Sequence, residues 1–233
     1  MKFQKYMAVG ILGLTMALGF SGCQSENQKN QDAYRKIGIN SMAEGDYDKA
    51  VKSFQKALDT SLGKIGAEEI DICYYKAAAQ FAKKDYDGAI ETYTSLIDYD
   101  KENANAYYLR GSVYLDTDKK DKAFKDYKNA VKYAGREYEI YEGIYENLTN
   151  KGETEEAKNY LKKALDIKPK DGADYAEQGH VYYLLEDYTQ AKSSLDRAID
   201  KDDKTALLYL AEVYNATDQQ EQGQALLESY VKE

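Results

Sequence analysis

The sequence is poor in proline, histidine and cysteine, and it has no tryptophan. Its 233 residues include one proline, one histidine and two cysteines, beside 24 tyrosines. Because proline removes a backbone hydrogen-bond donor and clashes inside a helix, its rarity favours uninterrupted helices. A single histidine excludes a site with several histidine ligands. The net charge of −9 would be repelled by a phosphate backbone, so we expect no nucleic-acid partner.

The sequence also lacks the usual patterns of catalytic residues. It contains no glycine-rich phosphate loop and no Gly-x-Ser-x-Gly turn. Glu68–Glu69 and Glu155–Glu156 are adjacent carboxylates, but neighbours on a helix diverge, so neither pair suits acid–base chemistry. His180 could act alone as a base, although a groove-lining histidine without a role is the commoner case. We therefore expect a protein that is not an enzyme and that holds no metal and no cofactor.

The first 22 residues have the layout of a secretory leader. Lys2 and Lys5 precede an uncharged, mostly apolar run over residues 7–20. A membrane-spanning helix needs about 20 such residues, so this run is too short to span and fits a signal peptide. Ser21, Gly22 and Cys23 follow it, and then an abruptly polar stretch. An ordinary cleaved signal peptide and an uncleaved anchor are the alternatives.

The segment around Cys23 resembles a bacterial lipobox, with Phe20 where that motif usually has leucine. The resemblance implies that the Cys23 thiol carries diacylglycerol and becomes the mature N-terminus. We therefore predict a signal peptide over residues 1–22 and a lipidated cysteine with a flexible tether over residues 23–30. The protein would be anchored by lipid to the cell membrane, on its extracytoplasmic side.

A short pattern that ends in alanine recurs along the rest of the chain. Residues 44–50, 83–89 and 185–191 are near copies, and residues 118–123 and 152–157 are fainter ones. Their terminal alanines step by 39, 34, 34 and 34 residues, and they are Ala50, Ala89, Ala123, Ala157 and Ala191. This period, with helical patterning, resembles the tetratricopeptide repeat (TPR). A last repeat fits a frame through Gly223, and a frame through Ala225 also fits.

The resemblance implies an all-α fold over residues 31–233, a right-handed superhelical solenoid of about six helix–turn–helix units. Small residues at the eighth and twentieth positions of each unit would let its two helices approach closely. Each helix pair leaves an apolar face that only its neighbour can cover, so stability comes from stacking. Five extra residues fall near residues 61–66, where we expect a longer surface turn rather than a functional loop.

The family binds peptides or helices along a concave groove that is lined by the first helix of each unit. The resemblance places these residues there: Arg35, Ile39, Met42, Tyr74, Ala78, Phe81, Tyr108, Ser112, Leu115, Glu142, Glu146, His180 and Tyr183. The N-terminal half of the groove would be apolar and aromatic. Glu142 with Glu146 would favour a basic or amine-bearing partner, and a solvated acidic face is the alternative. Many of the tyrosines must instead pack between helices.

These features predict a membrane-anchored scaffold or adaptor that recruits a protein or peptide partner. The alternative is a lipoprotein that captures a peptide or glycan outside the cytoplasm for import or sensing. The sequence does not determine the oligomeric state or the identity of the partner.

Overall fold

The computed structural model describes residues 26–61, 63 and 65–232. The predicted signal peptide and Cys23 lie outside these residues. The regular structure in the described part is entirely helical, and none of these helices is both long and apolar enough to span a membrane. The helices are α1 (Glu26–Ala43), α2 (Tyr47–Thr60), α3 (Ala67–Ala82), α4 (Tyr86–Tyr99), α5 (Ala104–Asp116), α6 (Lys120–Tyr133), α7 (Tyr138–Asn150), α8 (Thr154–Ala164), α9 (Gly172–Leu184), α10 (Tyr188–Ile199), α11 (Thr205–Ala216) and α12 (Gln220–Lys232).

The structure differs from the sequence prediction at the start of the array. Helix α1 begins at Glu26, so residues 26–30 are helical where the prediction placed a flexible tether. Five polar residues extend the helix without interruption because none of them is a proline or glycine. The linker between α2 and α3 falls where the extra residues were predicted, and its Ile65 is 57% exposed.

The turn within each helix pair repeats one hydrogen-bonding pattern. In the first pair, the Asp46 amide donates to the Ser41 carbonyl at 2.8 Å, and the intervening Gly45 has a φ of +79°. This six-to-one bond closes the C-terminus of the first helix. The Asp46 side chain then accepts from the Lys49 amide at 3.0 Å and caps the second helix. Asp85 and Asp187 repeat both roles, which explains why this part of the sequence recurs.

Small residues allow the two helices of a pair to cross closely, as predicted. A Cβ atom added at Gly38 would lie 2.5 Å from the Phe54 ring, and one added at Gly179 would lie 2.6 Å from Leu195. The five alanines that mark the repeat are completely buried: Ala50, Ala89, Ala123, Ala157 and Ala191. In the last pair Gly223 is buried and Ala225 is exposed, so the frame through Gly223 is the one that the structure adopts.

The helices pack into two compact units, α1–α6 over residues 26–133 and α7–α12 over residues 134–232. The core of the first unit is built around the buried side chains of Phe54, Ile72, Tyr93 and Val113. The core of the second unit includes Leu195, Leu210 and Val213. Each unit therefore contains three helix pairs, which together make the six repeats that the period predicted.

Candidate functional site

Three of the predicted groove residues in the first unit are buried and do not present a surface to a partner. Ala78 and Ser112 are each 1% exposed, and Leu115 is 2% exposed. The Ser112 hydroxyl donates to the carbonyl of Tyr108 at 2.9 Å and accepts from the Tyr127 hydroxyl at 3.4 Å. The placement of these residues on the binding surface is corrected, because their side chains pack inside the unit.

The aromatic side chains predicted for this groove remain partly exposed. Tyr74 and Phe81 lie on one face of α3, because residues seven apart are two helical turns apart. Tyr108 holds the position of Tyr74 in the next repeat. The rings of Tyr74 and Tyr108 both lie near the buried Tyr93, whose pKa is raised by burial and then by these two tyrosines. We call Tyr74, Phe81 and Tyr108 the aromatic face.

Intrachain contacts hold the side chains of the aromatic face in place. The Tyr74 hydroxyl donates to Asn103 Oδ1 at 2.7 Å, which joins the second repeat to the third. The Tyr74 ring lies 6.3 Å from the Tyr93 ring, and the Phe81 ring meets the Tyr86 ring edge-on at 5.6 Å. The face is therefore largely pre-formed, which reduces the entropy that binding would cost.

The remaining predicted residues of the first unit lie at its N-terminal end. Ile39 and Met42 on α1 are partly exposed and pack against the core around Phe54. Arg35 donates from Nε to Asp71 Oδ2 at 2.8 Å and lies over the Tyr75 ring at 5.3 Å. Arg35 therefore joins the first repeat to the second, which means that its charge already has a partner within the chain.

In the second unit the structure brings together Glu142 and His180, which are 38 residues apart in sequence. Nδ1 of His180 on α9 lies 3.0 Å from Oε1 of Glu142 on α7. The His180 ring stacks on the Tyr209 ring of α11, with centroids 4.3 Å apart and planes 10° apart. Tyr183 lies one turn along α9 from His180, and the centroids of their stacked rings are 6.1 Å apart.

Glu177 completes this group, which we call the Glu–His cluster: Glu142, Glu177 and His180. One nitrogen or carboxylate oxygen from each residue lies within 4.8 Å of the others, and all three residues are half-buried. Burial, and then the charges of Glu142 and Glu139, raise the pKa of Glu177 to about 7. Burial lowers the pKa of His180, but the hydrogen bond and charge of Glu142 outweigh that effect and raise it overall. The cluster therefore favours positive charge.

Glu142 does not stand with Glu146 as an open pair of carboxylates. Glu142 faces His180, while Glu146 lies one turn along α7 and is half-buried. Two residues that lie with His180 were not predicted from the sequence, Glu177 and Tyr209. Both hold the sixth position of their repeats, which is not one of the predicted groove positions. Glu212, whose charge also acts to raise the pKa of His180, holds the ninth position of its repeat, as His180 does. The positional rule that predicted His180 would therefore also have predicted Glu212.

The recurring turns, the buried alanines and the close helix crossings define a helical-repeat protein. Family models assign the repeats more narrowly. A model described as "Tetratricopeptide repeat" matches residues 32–61, 104–136 and 146–171, a second with that description matches residues 177–232, and one described as "TPR repeat" matches residues 77–118. Together these matches span well over half of the chain, which therefore belongs to the tetratricopeptide-repeat family.

Two characterised proteins share detectable sequence similarity with the chain. Anaphase-promoting complex subunit 3 of Schizosaccharomyces pombe is 21% identical, over 81% of this chain and 33% of its own length. Human tetratricopeptide repeat protein 13 is 27% identical, over 61% of this chain and 17% of its own length. The chain thus spans a third or less of the length of these relatives.

Two solved structures of low sequence identity resemble the chain. A tetratricopeptide repeat protein from Parabacteroides merdae has a TM-score of 0.51 and 13% identity, covering 98% of this chain and 84% of its own. PilF from Pseudomonas aeruginosa has a TM-score of 0.48 and 16% identity, covering 87% of this chain and 90% of its own. The first of these likenesses supports the all-helical repeat fold and carries no information about a partner.

Proposed function

We propose that this protein is a non-catalytic, membrane-anchored scaffold that binds a segment of a partner protein on the aromatic face. The observation that carries the proposal is the presence of three partly exposed aromatic side chains on the first helices of successive repeats. Tyrosine and phenylalanine bury large areas at a small cost in side-chain entropy, which makes them common anchors at protein interfaces. Repeat proteins use extended surfaces of this kind for binding.

The chemistry of the face indicates what kind of segment it would take. The rings offer apolar area, and the Tyr74 hydroxyl is fixed by Asn103, so the face suits an extended or helical segment with apolar side chains. Tyr108 continues the surface from the second repeat to the third, so a bound segment would cross two repeats.

The leader supports the membrane part of the proposal. A basic start, a short apolar run and Cys23 followed by polar residues are the features of a lipoprotein leader. Two acyl chains on a diacylglycerol are enough for durable membrane attachment, whereas one chain is marginal. We propose that Cys23 carries this lipid, which would hold the repeats at the extracytoplasmic surface.

The test is crosslinking in native cells, followed by purification of the tagged full chain and mass spectrometry of the proteins that come with it. We expect a specific protein to be enriched with the wild type and reduced at least tenfold by Tyr74→Ala or Tyr108→Ala. Tyr99→Ala is the matched control, because Tyr99 is 54% exposed and lies outside the aromatic face. Circular dichroism would verify that each variant is folded.

Cys23→Ala tests the anchor separately. We expect this variant to leave the membrane fraction and to lose a partner that is itself membrane-bound. A protein enriched equally by Tyr74→Ala and the wild type would contradict the proposed face. A folded, membrane-bound chain that enriches no protein would contradict the scaffold proposal and favour capture of a peptide or glycan.

A further inference from the structure

The Glu–His cluster combines residue types that bind transition metals. Glu177 and His180 are three residues apart on α9, so their side chains leave the same face of the helix. Glu142 reaches them from α7, the first helix of the preceding repeat. Two carboxylates and one imidazole, on two helices, thus converge on one small volume.

We propose that Glu142, Glu177 and His180 bind a divalent transition-metal ion of the Zn²⁺ type. Zinc bonds to imidazole nitrogen and carboxylate oxygen are about 2.0–2.2 Å long, so neighbouring ligand atoms around the ion stand about 3–3.5 Å apart. His180 Nδ1 and Glu142 Oε1 are already separated by 3.0 Å, and the three ligand atoms lie within 4.8 Å. Small rotations of the glutamate side chains would bring all three ligand atoms to metal distance.

The surroundings of the cluster favour a cation. The negative charges of Glu142, Glu139 and Asp203 all act on Glu177, and the charge of His180 opposes them. A divalent ion would neutralise Glu142 and Glu177, whose carboxylate oxygens converge there. The imidazole nitrogen distinguishes the ion, because Ca²⁺ and Mg²⁺ prefer oxygen ligands, whereas Zn²⁺ and its neighbours accept mixed nitrogen and oxygen ligands.

The aromatic neighbours hold the histidine ready for binding. His180 lies against the Tyr209 ring at 4.3 Å in near-parallel planes, which fixes the plane of the imidazole. Three ligands from the chain would leave at least one coordination position for water or for a group from a partner. The ion would also join the first helices of the fourth and fifth repeats, so binding should stabilise the second unit.

The test is titration of the chelator-treated full chain with ZnCl₂ by isothermal calorimetry, beside thermal unfolding. We expect one saturable ion per chain and a Tm that rises with free Zn²⁺. Glu177→Gln and His180→Gln should each weaken binding at least tenfold, since each removes a ligand. Glu146→Gln is the matched control, because Glu146 lies on the same helix as Glu142 and outside the cluster.

Co²⁺ provides a spectroscopic readout that does not depend on stability. The wild type loaded with Co²⁺ should show visible d–d absorption, and His180→Gln should change its position and intensity because a nitrogen ligand is lost. Absence of saturable binding to the folded wild type would overturn the proposal. Equal affinities of Glu177→Gln, His180→Gln and the wild type would also overturn it, because the ion would then bind elsewhere. Neither result bears on the aromatic face, which lies in the first unit.

Discussion

The ion pair between Arg110 and Asp126 should contribute strongly to the stability of the first unit. Arg110 on α5 donates from Nε and Nη2 to the two carboxylate oxygens of Asp126 on α6, at 2.7 and 2.9 Å. Its Nη1 donates to the Thr94 hydroxyl of the preceding repeat at 2.9 Å. The side chains are only 15% and 4% exposed, so solvent screens the pair weakly. Arg110 therefore joins the two helices of its own repeat and also contacts the preceding repeat.

Asp126→Asn removes the negative charge and keeps the shape of the side chain. The guanidinium of Arg110 would then stay buried without its counter-charge, and breaking such a pair from one side costs about 3–5 kcal/mol. Because Arg110 keeps some contact with solvent, we expect about 3 kcal/mol of lost stability. With a urea dependence of about 2 kcal/mol per molar, the unfolding midpoint of the first unit should fall by about 1.5 M.

The assay is urea unfolding of the full chain, followed by circular dichroism at 222 nm. Asp98→Asn is the matched control, because Asp98 pairs with Lys101 at 2.7 Å but both side chains are 67% exposed. Exposed ion pairs contribute little to stability, so the control should have the same urea unfolding midpoint as the wild type. If Asp126→Asn shifted the midpoint no further than Asp98→Asn, the reasoning from burial would be refuted.

A double substitution separates the charge from the packing. Replacing the pair by Arg110→Met and Asp126→Leu removes both charges and fills much of the same space. Because apolar replacements of buried ion pairs are often neutral, this variant should regain most of the stability that Asp126→Asn loses. A double variant as unstable as the single one would indicate that packing of the guanidinium over the rings of Tyr107 and Tyr114 matters more.

The fold could be predicted because its determinants are local and recur. A small residue is needed wherever two helices cross, so Gly38 and Gly179 appear at the same position of different repeats. The left-handed residue in each turn is less predictable, because its residue type varies between repeats. Gly45 and Gly152 are of a residue type that favours a left-handed turn position. Lys84 and Glu186 adopt the same conformation, with φ of +66° and +64°, although their residue types do not predict it. The six-to-one hydrogen bond imposes this conformation whatever the residue.

The candidate sites were less predictable because exposure depends on neighbours. The position of Ser112 in the repeat predicts a groove residue, yet the Tyr127 hydroxyl of the following helix contacts its side chain, and it is buried. The Glu–His cluster depends on the approach of two helices that bring together Glu142 and His180, which are 38 residues apart in sequence. The sequence identified Glu142 and His180 separately, but only their packing shows that Glu177 joins them.

Two further predictions concern stability in the first unit. Lys84→Gly should raise the free energy of unfolding by about 0.5–1 kcal/mol in the urea assay, because glycine adopts the left-handed φ of +66° without strain; no gain would contradict the turn geometry. Glu68 has its pKa raised from 4.5 to about 7, first by burial and then by the hydrogen bond and charge of Asp32. Its ionisation therefore opposes folding: the cost is absent below about pH 4.5 and complete above pH 7. Because Glu68 is partly solvated, we take the destabilisation that corresponds to this pKa shift as only about 1 kcal/mol. The urea unfolding midpoint of Glu68→Gln should therefore be higher than that of the wild type at pH 8. At pH 4.5 the midpoints of Glu68→Gln and the wild type should differ much less. An equal difference at both pH values would show that the Glu68 carboxyl group does not titrate as its contacts require.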